Sequence, residues 1–252
     1  MNILTPDIAR QIIGRGWHVA THEYRNYKGN IEVTQDVGLD YDYCTPEAMQ
    51  MLVDWKQKFQ SFQANFKSIE PEVAGKIARI NCNYLYLPKL EVLEVSEARR
   101  LSRSIGDVLH IGLQTEPSPE AIEVFIDQSY NFEQSCNYLI DLQLPTLSVD
   151  NARILAKHPN EFYLELPFQA LTPTALAILS GHIGFRLNLR LTGFDGVKAH
   201  AQQVLEVLSR TPCKRAVCVY LDENVVRFES EERDWGRWKR RMDRMGKLAA
   251  EQ

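Results

Sequence analysis

Six histidines and five cysteines are the side chains best suited to bind a metal or act as nucleophiles, and their spacing fits neither task. The histidines are His18, His22, His110, His158, His182 and His200. Helical zinc sites set two imidazoles four residues apart on one face. Only His18 and His22 have that separation, and the intervening Val19-Ala20-Thr21 reads as strand, which gives no shared metal face. The cysteines, Cys44, Cys82, Cys136, Cys213 and Cys218, are odd in number and form no C-x-x-C pair, so they read as reduced thiols serving as small apolar residues. No G-x-S-x-G, phosphate-binding loop or G-x-G-x-x-G is present, and Gly14-Arg15-Gly16 and Gly193-Phe194-Asp195-Gly196 read as turns. His110 and Asp141, on nearby strands and joined by a cysteine, would imitate a nucleophile set, but Cys136 precedes its strand. The expectation is a chain without catalytic activity, metal or cofactor; an enzyme with a site on a sheet face is the alternative from another class.

Recognition is the second chemistry on offer. Short apolar runs with period-2 alternation occur at Tyr84–Leu87, Val108–Ile111, Tyr138–Leu142, Phe162–Leu166, Arg186–Leu191 and Ala216–Leu221. With the leucines, isoleucines and valines turned inward, Tyr84, Tyr86, His110, Asp141, Tyr163, Glu165, Asn188, Arg190 and Tyr220 share the opposite face. Four of these nine are tyrosines, which offer a large rigid contact with a polar tip and suit an interface. The plain alternative is a set of ordinary strand formers, with Glu165 and Arg190 pairing across neighbouring strands.

A repeat positions these strands. Ser/Thr/Pro-Glu/Asp-x-Ala signatures open amphipathic helices around Ala9, Ala48, Ala74, Ala98, Ala121, Ala152 and Ala175. Their spacing is nearly constant apart from two long intervals, Ala9 to Ala48 and Ala121 to Ala152. The clearest unit is Phe162-Tyr163-Leu164-Glu165-Leu166 followed by a helix from Pro173, with Thr172 suited to cap it and Pro173 to its first turn, where no N–H is required. Thr45-Pro46-Glu47-Ala48 and Ser118-Pro119-Glu120-Ala121 repeat that grammar; Ser96-Glu97-Ala98 and Ser148-Val149-Asp150-Asn151-Ala152 are variants. One strand per unit returning through a helix gives a parallel sheet. A period of about 23 residues marks a solenoid. With Leu85-Tyr86-Leu87-Pro88-Lys89-Leu90, Leu142-Gln143-Leu144-Pro145-Thr146-Leu147, Leu164-Glu165-Leu166 and Leu187-Asn188-Leu189-Arg190-Leu191, the chain resembles the leucine-rich-repeat family in its short bacterial form, without a regular Asn or Cys ladder. The resemblance implies an α/β solenoid, a parallel sheet on one face and helices on the other, serving as a protein-binding scaffold.

The departures from the period stand out. Trp17–Ala20 and Asn30–Val33, in the first long interval, supply an extra strand pair or a degenerate repeat, and an insertion at 127–135 fills the second. Ala48, Leu52, Trp55, Phe59, Phe62 and Phe66 form a heptad-like seam that predicts one long aromatic helix over 46–66, capping the core or binding a partner. Arg233–Lys247 carries seven basic residues against two acidic ones, a local charge of +5, and reads as a basic amphipathic helix that caps the solenoid or meets an acidic partner, nucleic acid or membrane surface. Expected divisions are 1–66, degenerate repeats and aromatic cap; 67–226, solenoid; 227–252, basic helix or tail.

A net charge of −4 argues against general attraction to nucleic acid, leaving the basic tail as the segment suited to it. No signal sequence and no apolar run of membrane-spanning length is visible, so the expectation is a cytoplasmic chain without a membrane span, with delivery by a signal-less secretion route as an alternative. The function these features imply is stoichiometric binding of a protein or peptide by the sheet face. An immunity, effector or assembly role through the aromatic helix or basic tail is the rival.

Overall fold

Each of the seven spaced alanines lies in the first turn of a helix, and all seven are fully buried. The helices are α1 (Pro6–Arg15), α2 (Pro46–Asp54), α3 (Pro71–Ile77), α4 (Val95–Leu101), α5 (Pro119–Tyr130), α6 (Val149–Ala156) and α7 (Pro173–Leu179). The computed structural model describes residues 2–15, 19–25, 31–55, 58–130, 139–158, 162–182, 186–192, 216–221 and 224–228. Four helices start with the expected cap: Thr45, Ser118, Ser148 and Thr172 accept from the backbone N–H three residues on, at 3.1–3.2 Å. Each satisfies an N–H that the helix leaves open, an effect of about 1 kcal/mol. α4 departs from the expected grammar. It starts one residue before Ser96, behind Glu94 and without a side-chain cap, and the Ser96 hydroxyl donates to Glu97 instead.

The strands are β1 (Ile3–Leu4), β2 (Val19–Arg25), β3 (Ile31–Leu39), β4 (Tyr43–Cys44), β5 (Phe59–Ala64), β6 (Cys82–Leu90), β7 (Val108–Leu113), β8 (Leu139–Gln143), β9 (Phe162–Pro167), β10 (Arg186–Thr192), β11 (Ala216–Leu221) and β12 (Asn224–Phe228). The chain divides into two compact units, Met1–Gln143 and Leu144–Gln252.

In the first unit β3, β5, β6, β7 and β8 lie side by side in sequence order, all parallel, and β2 pairs antiparallel with β3 at the edge. This hairpin realises the strand pair expected in the first long interval. β1 and β4 form a separate parallel pair, each leading straight into a Thr-Pro helix start. The helices also pack in sequence order, from α1 on α2 through to α4 on α5. Leu85, Leu87, Leu109, Ile111, Ile140 and Leu142 are all at most 1% exposed, while the residues between them on β6 and β8 are half-buried or open. A parallel sheet covered on both faces would bury both sets. One face is therefore core and the other partly open.

The second unit has the same grammar. β9, β10 and β11 are parallel, β12 turns back antiparallel on β11, and α6 packs on α7. Leu164, Leu166, Leu187, Leu189 and Leu191 fill its core. Two buried histidines, His158 and His182, meet the ring of Phe162 edge-on at centroid distances of 5.4 and 5.2 Å.

One expectation fails. Residues 46–66 do not form a single aromatic helix, because α2 ends at Asp54 and the chain continues as β5. Ala48, Leu52, Phe59, Phe62 and Phe66 are buried as the seam required, but by two elements. Spacings of three and four fit a helix, yet Phe62, Ala64 and Phe66 also alternate with period 2, and pairing with β3 and β6 on either side decides for the strand. The segment contributes a strand to the sheet and is not one long aromatic helix.

A bulge in β6 between Leu87 and Leu90 displaces the chain at Pro88, which cannot donate to a neighbouring strand. The Pro88 carbonyl moves against β7 at Gly112, where a Cβ would lie 2.5 Å from its oxygen. Only glycine fits that approach.

Candidate functional site

On the partly open face of the first unit, strand register aligns side chains in two rows. Asp36, Ser61, Tyr84, Val108 and Leu139 are Cα partners across β3, β5, β6, β7 and β8; Gly38, Gln63, Tyr86, His110 and Asp141 form the next row. Adjacent parallel strands are about 4.8 Å apart, so each row runs about 19 Å. Tyr84 and Tyr86, two residues apart on β6, stack at 6.3 Å with rings 15° from parallel. Tyr86 meets the His110 imidazole at 5.7 Å, and His110 Nδ1 lies 3.1 Å from Asp141 Oδ2. Both members of that last pair are largely buried, at 15% and 13% side-chain exposure. At the other end Asp36 Oδ1 accepts from the Ser61 hydroxyl at 2.7 Å and its amide at 3.1 Å.

Three aromatic rings thus sit between two carboxylates. Burial pushes the Tyr86 hydroxyl above its ordinary pKa, and the negative charges of Asp141 and Asp36 add to the effect, with Tyr84. Tyr86 is accordingly a neutral hydrogen-bonding tip at physiological pH. Cys82, at the start of β6, is pushed up to about 12 by burial, and Cys44 likewise. Thiols held protonated are poor nucleophiles.

The structure brings together four of the nine expected recognition residues here: Tyr84, Tyr86, His110 and Asp141. A further set shares the second unit. Arg190 holds its guanidinium carbon 4.7 Å above the Tyr163 ring, with Nη1 3.9 Å from Glu165 Oε2 on the neighbouring strand. That is the cross-strand pairing expected of ordinary strand formers, with a cation–π contact added. Asn188 is a correction. It has the expected register, opposite Tyr163, but is completely buried and presents nothing to a partner. Tyr220 pairs with Arg190 in register, while its side chain lies outside the described residues. Also outside them are His18, His200, Cys136, Cys213, Gly193–Gly196, residues 131–135 of the long interval and the basic tail from 229.

Sequence reasoning misses Asp36 and Ser61. The helical reading of 46–66 hides Ser61, and ending the strand at Val33 hides Asp36, although Val33, Gln35, Val37 and Leu39 carry the period on. A second feature lies on the helices: a shallow cleft of about 710 Å³ bordered by Glu94, Ser96 and three exposed arginines, Arg99, Arg100 and Arg103. Past the ends of β3 and β5, Lys67 bonds Asp42 at 2.8 Å, and Lys89, near the end of β6, lies 3.8 Å from Asp40. No helix among the described residues is long and apolar enough to cross a membrane, and no cluster of described His, Cys, Asp or Glu could hold a metal ion. The chain matches no family model, no curated protein and no solved structure.

Proposed function

We propose that this chain is a non-catalytic binding scaffold whose first unit is a short strand–helix solenoid of the leucine-rich-repeat kind, and that the open sheet face recognises a protein segment. The observation that carries this reading is the chain of contacts from Tyr84 to Tyr86 to His110 to Asp141, four large or polar side chains on a face where the alternate residues are fully buried. Rigid, partly exposed aromatics with polar tips are what binding surfaces concentrate. Sequence-order packing of strands and helices supports the solenoid reading, since each module then buries its apolar side only against the next. The raised pKa values of Tyr86 and Cys82 support a binding role over a nucleophilic one.

The test is a photocrosslinking amino acid placed at Gln63, exposed at the edge of this row, in the full chain. Recovery of a partner peptide from Gln63, lost when Tyr84→Ala and Tyr86→Ala are combined and the circular dichroism spectrum is intact, is the expected result. Recovery that is indifferent to both substitutions removes the reading.

A further inference from the structure

We infer that the helix side of the first unit carries a second binding site, independent of the sheet face: the cleft on α3 and α4, which takes an acidic peptide segment. Pro71 and Val95 give this cleft of about 710 Å³ an apolar wall, and Arg99, Arg100 and Arg103 supply its charge. Ser96, Arg99 and Arg100 share one face of α4 by helical spacing. In the turn that ends the helix, the Arg103 amide donates to the Arg100 carbonyl at 3.3 Å, which keeps the third arginine beside the other two. Arg100 is placed by the neighbouring helix. Gly75 on α3 has no side chain, and a Cβ there would lie 3.5 Å from Arg100 Cδ, so the aliphatic stem lies against α3 while the charged head lines the cleft.

Like charges three and four residues apart on a helix repel one another. Among the described residues Arg99 and Arg100 have no ion pair, whereas Arg103 has a partner of its own, so the charge open to a ligand is that of Arg99 and Arg100. Two carboxylates of the same helices are engaged elsewhere: Glu72 bonds Lys76 at 2.8 Å, and Glu97 is buried and accepts from the Ser96 hydroxyl. With Glu94 set against the three arginines the cleft has a charge of +2, on a chain whose net charge is −4. Carboxylates entering it would meet planar guanidinium forks that can bond them in pairs. The cleft is too shallow to enclose most of a small ligand, which favours one segment of a larger molecule. Glu94 and the acidic body oppose the continuous charge of a nucleic-acid backbone. A peptide can instead set its carboxylates against the arginines and a neutral residue against Glu94, Pro71 and Val95.

The experiment is calorimetric titration of the full chain with three probes: a blocked octapeptide alternating Glu with Ala, its counterpart alternating Gln with Ala, and octathymidylate. The Glu peptide is expected to bind and the Gln peptide not to. Arg99→Gln plus Arg100→Gln, both at exposed positions, should lower the affinity for the Glu peptide about tenfold with the circular dichroism spectrum intact. Arg10→Gln plus Arg153→Gln makes the same change in net charge away from the cleft, at exposed arginines that bond Asp7 and Asp150, and should leave the affinity within about twofold. Tyr84→Ala plus Tyr86→Ala, on the sheet face, should also leave it unchanged, which separates this site from the one proposed there. Absence of Glu-peptide binding overturns the inference, as does binding that the Arg99 and Arg100 substitutions leave unchanged or that the control pair weakens equally. Octathymidylate binding that is as tight and depends on the same two arginines overturns the peptide assignment in favour of a nucleic-acid backbone.

Discussion

His110 on β7 and Asp141 on β8 are distant in the chain but directly opposed in register, with Nδ1 and Oδ2 3.1 Å apart and both side chains largely buried. A carboxylate at that distance favours the imidazole tautomer protonated on Nδ1 and leaves Nε2 as an acceptor. Nitrogen-15 shifts of His110 in neutral solution should report this tautomer. A double-mutant cycle with His110→Phe and Asp141→Asn should give a coupling of about 1 kcal/mol in urea unfolding. Additive effects would mean the two side chains are neighbours without interaction.

Acid stability should depend on Asp42. The hydrogen bond from Lys67, then that from the Asn2 backbone amide, hold its carboxyl below the usual range. A depressed carboxylate contributes stability above its unfolded pKa, and that contribution is lost as pH falls through the folded value. In Asp42→Asn the melting temperature should therefore fall less steeply below about pH 4 than in the native chain. Parallel curves for the two proteins would show that Asp42 contributes nothing to the acid transition.

Gly112→Ala should destabilise the first unit by about 1–3 kcal/mol, because the new methyl must displace the Pro88 backbone or part β6 from β7. Gly38→Ala is the control, since no atom lies within 4 Å of the position its Cβ would take. Urea midpoints of the two variants should separate clearly, and equal midpoints would place the constraint elsewhere.

The anchoring alanines and their caps separate by mechanism. Thr172→Ala removes one bond to the Ala175 amide and should cost about 1 kcal/mol, with Thr172→Ser retaining most of the stability. Ala98→Leu forces a larger side chain into a fully buried position and should cost about 1–3 kcal/mol. Thermal melts of the three variants check the ranking.

The alanine period and the caps at Thr45, Ser118 and Thr172 were legible because both depend on local geometry: a hydroxyl three residues before an alanine amide, and a small side chain where a helix meets a sheet. The alternation of Leu85, Leu87, Leu109 and Ile111 was legible for the same reason. Residues 59–66 were not, since Phe62 and Phe66 fit both the helical spacing from Phe59 and a period-2 alternation with Ala64, and only the neighbouring strands choose between them. Asn188 shows the other limit: alternation assigns a face but not how deeply the neighbours cover it. The candidate site was half visible, its tyrosines and His110–Asp141 from alternation, its Asp36–Ser61 end only from register.

The strand register of the first unit also bears on how it assembles. The paired residues Phe62 and Leu85, Leu85 and Leu109, and Leu109 and Ile140 enclose segments of similar length. The entropic cost of closing a flexible loop rises only with the logarithm of its length, and between the shortest and longest of these three it changes by about 0.3 kcal/mol. Every strand therefore joins the sheet at nearly the same cost, whatever its place in the series. No pairing among β5, β6, β7 and β8 has to wait for distant segments to meet, so the sheet can grow outward from whichever neighbouring pair closes first.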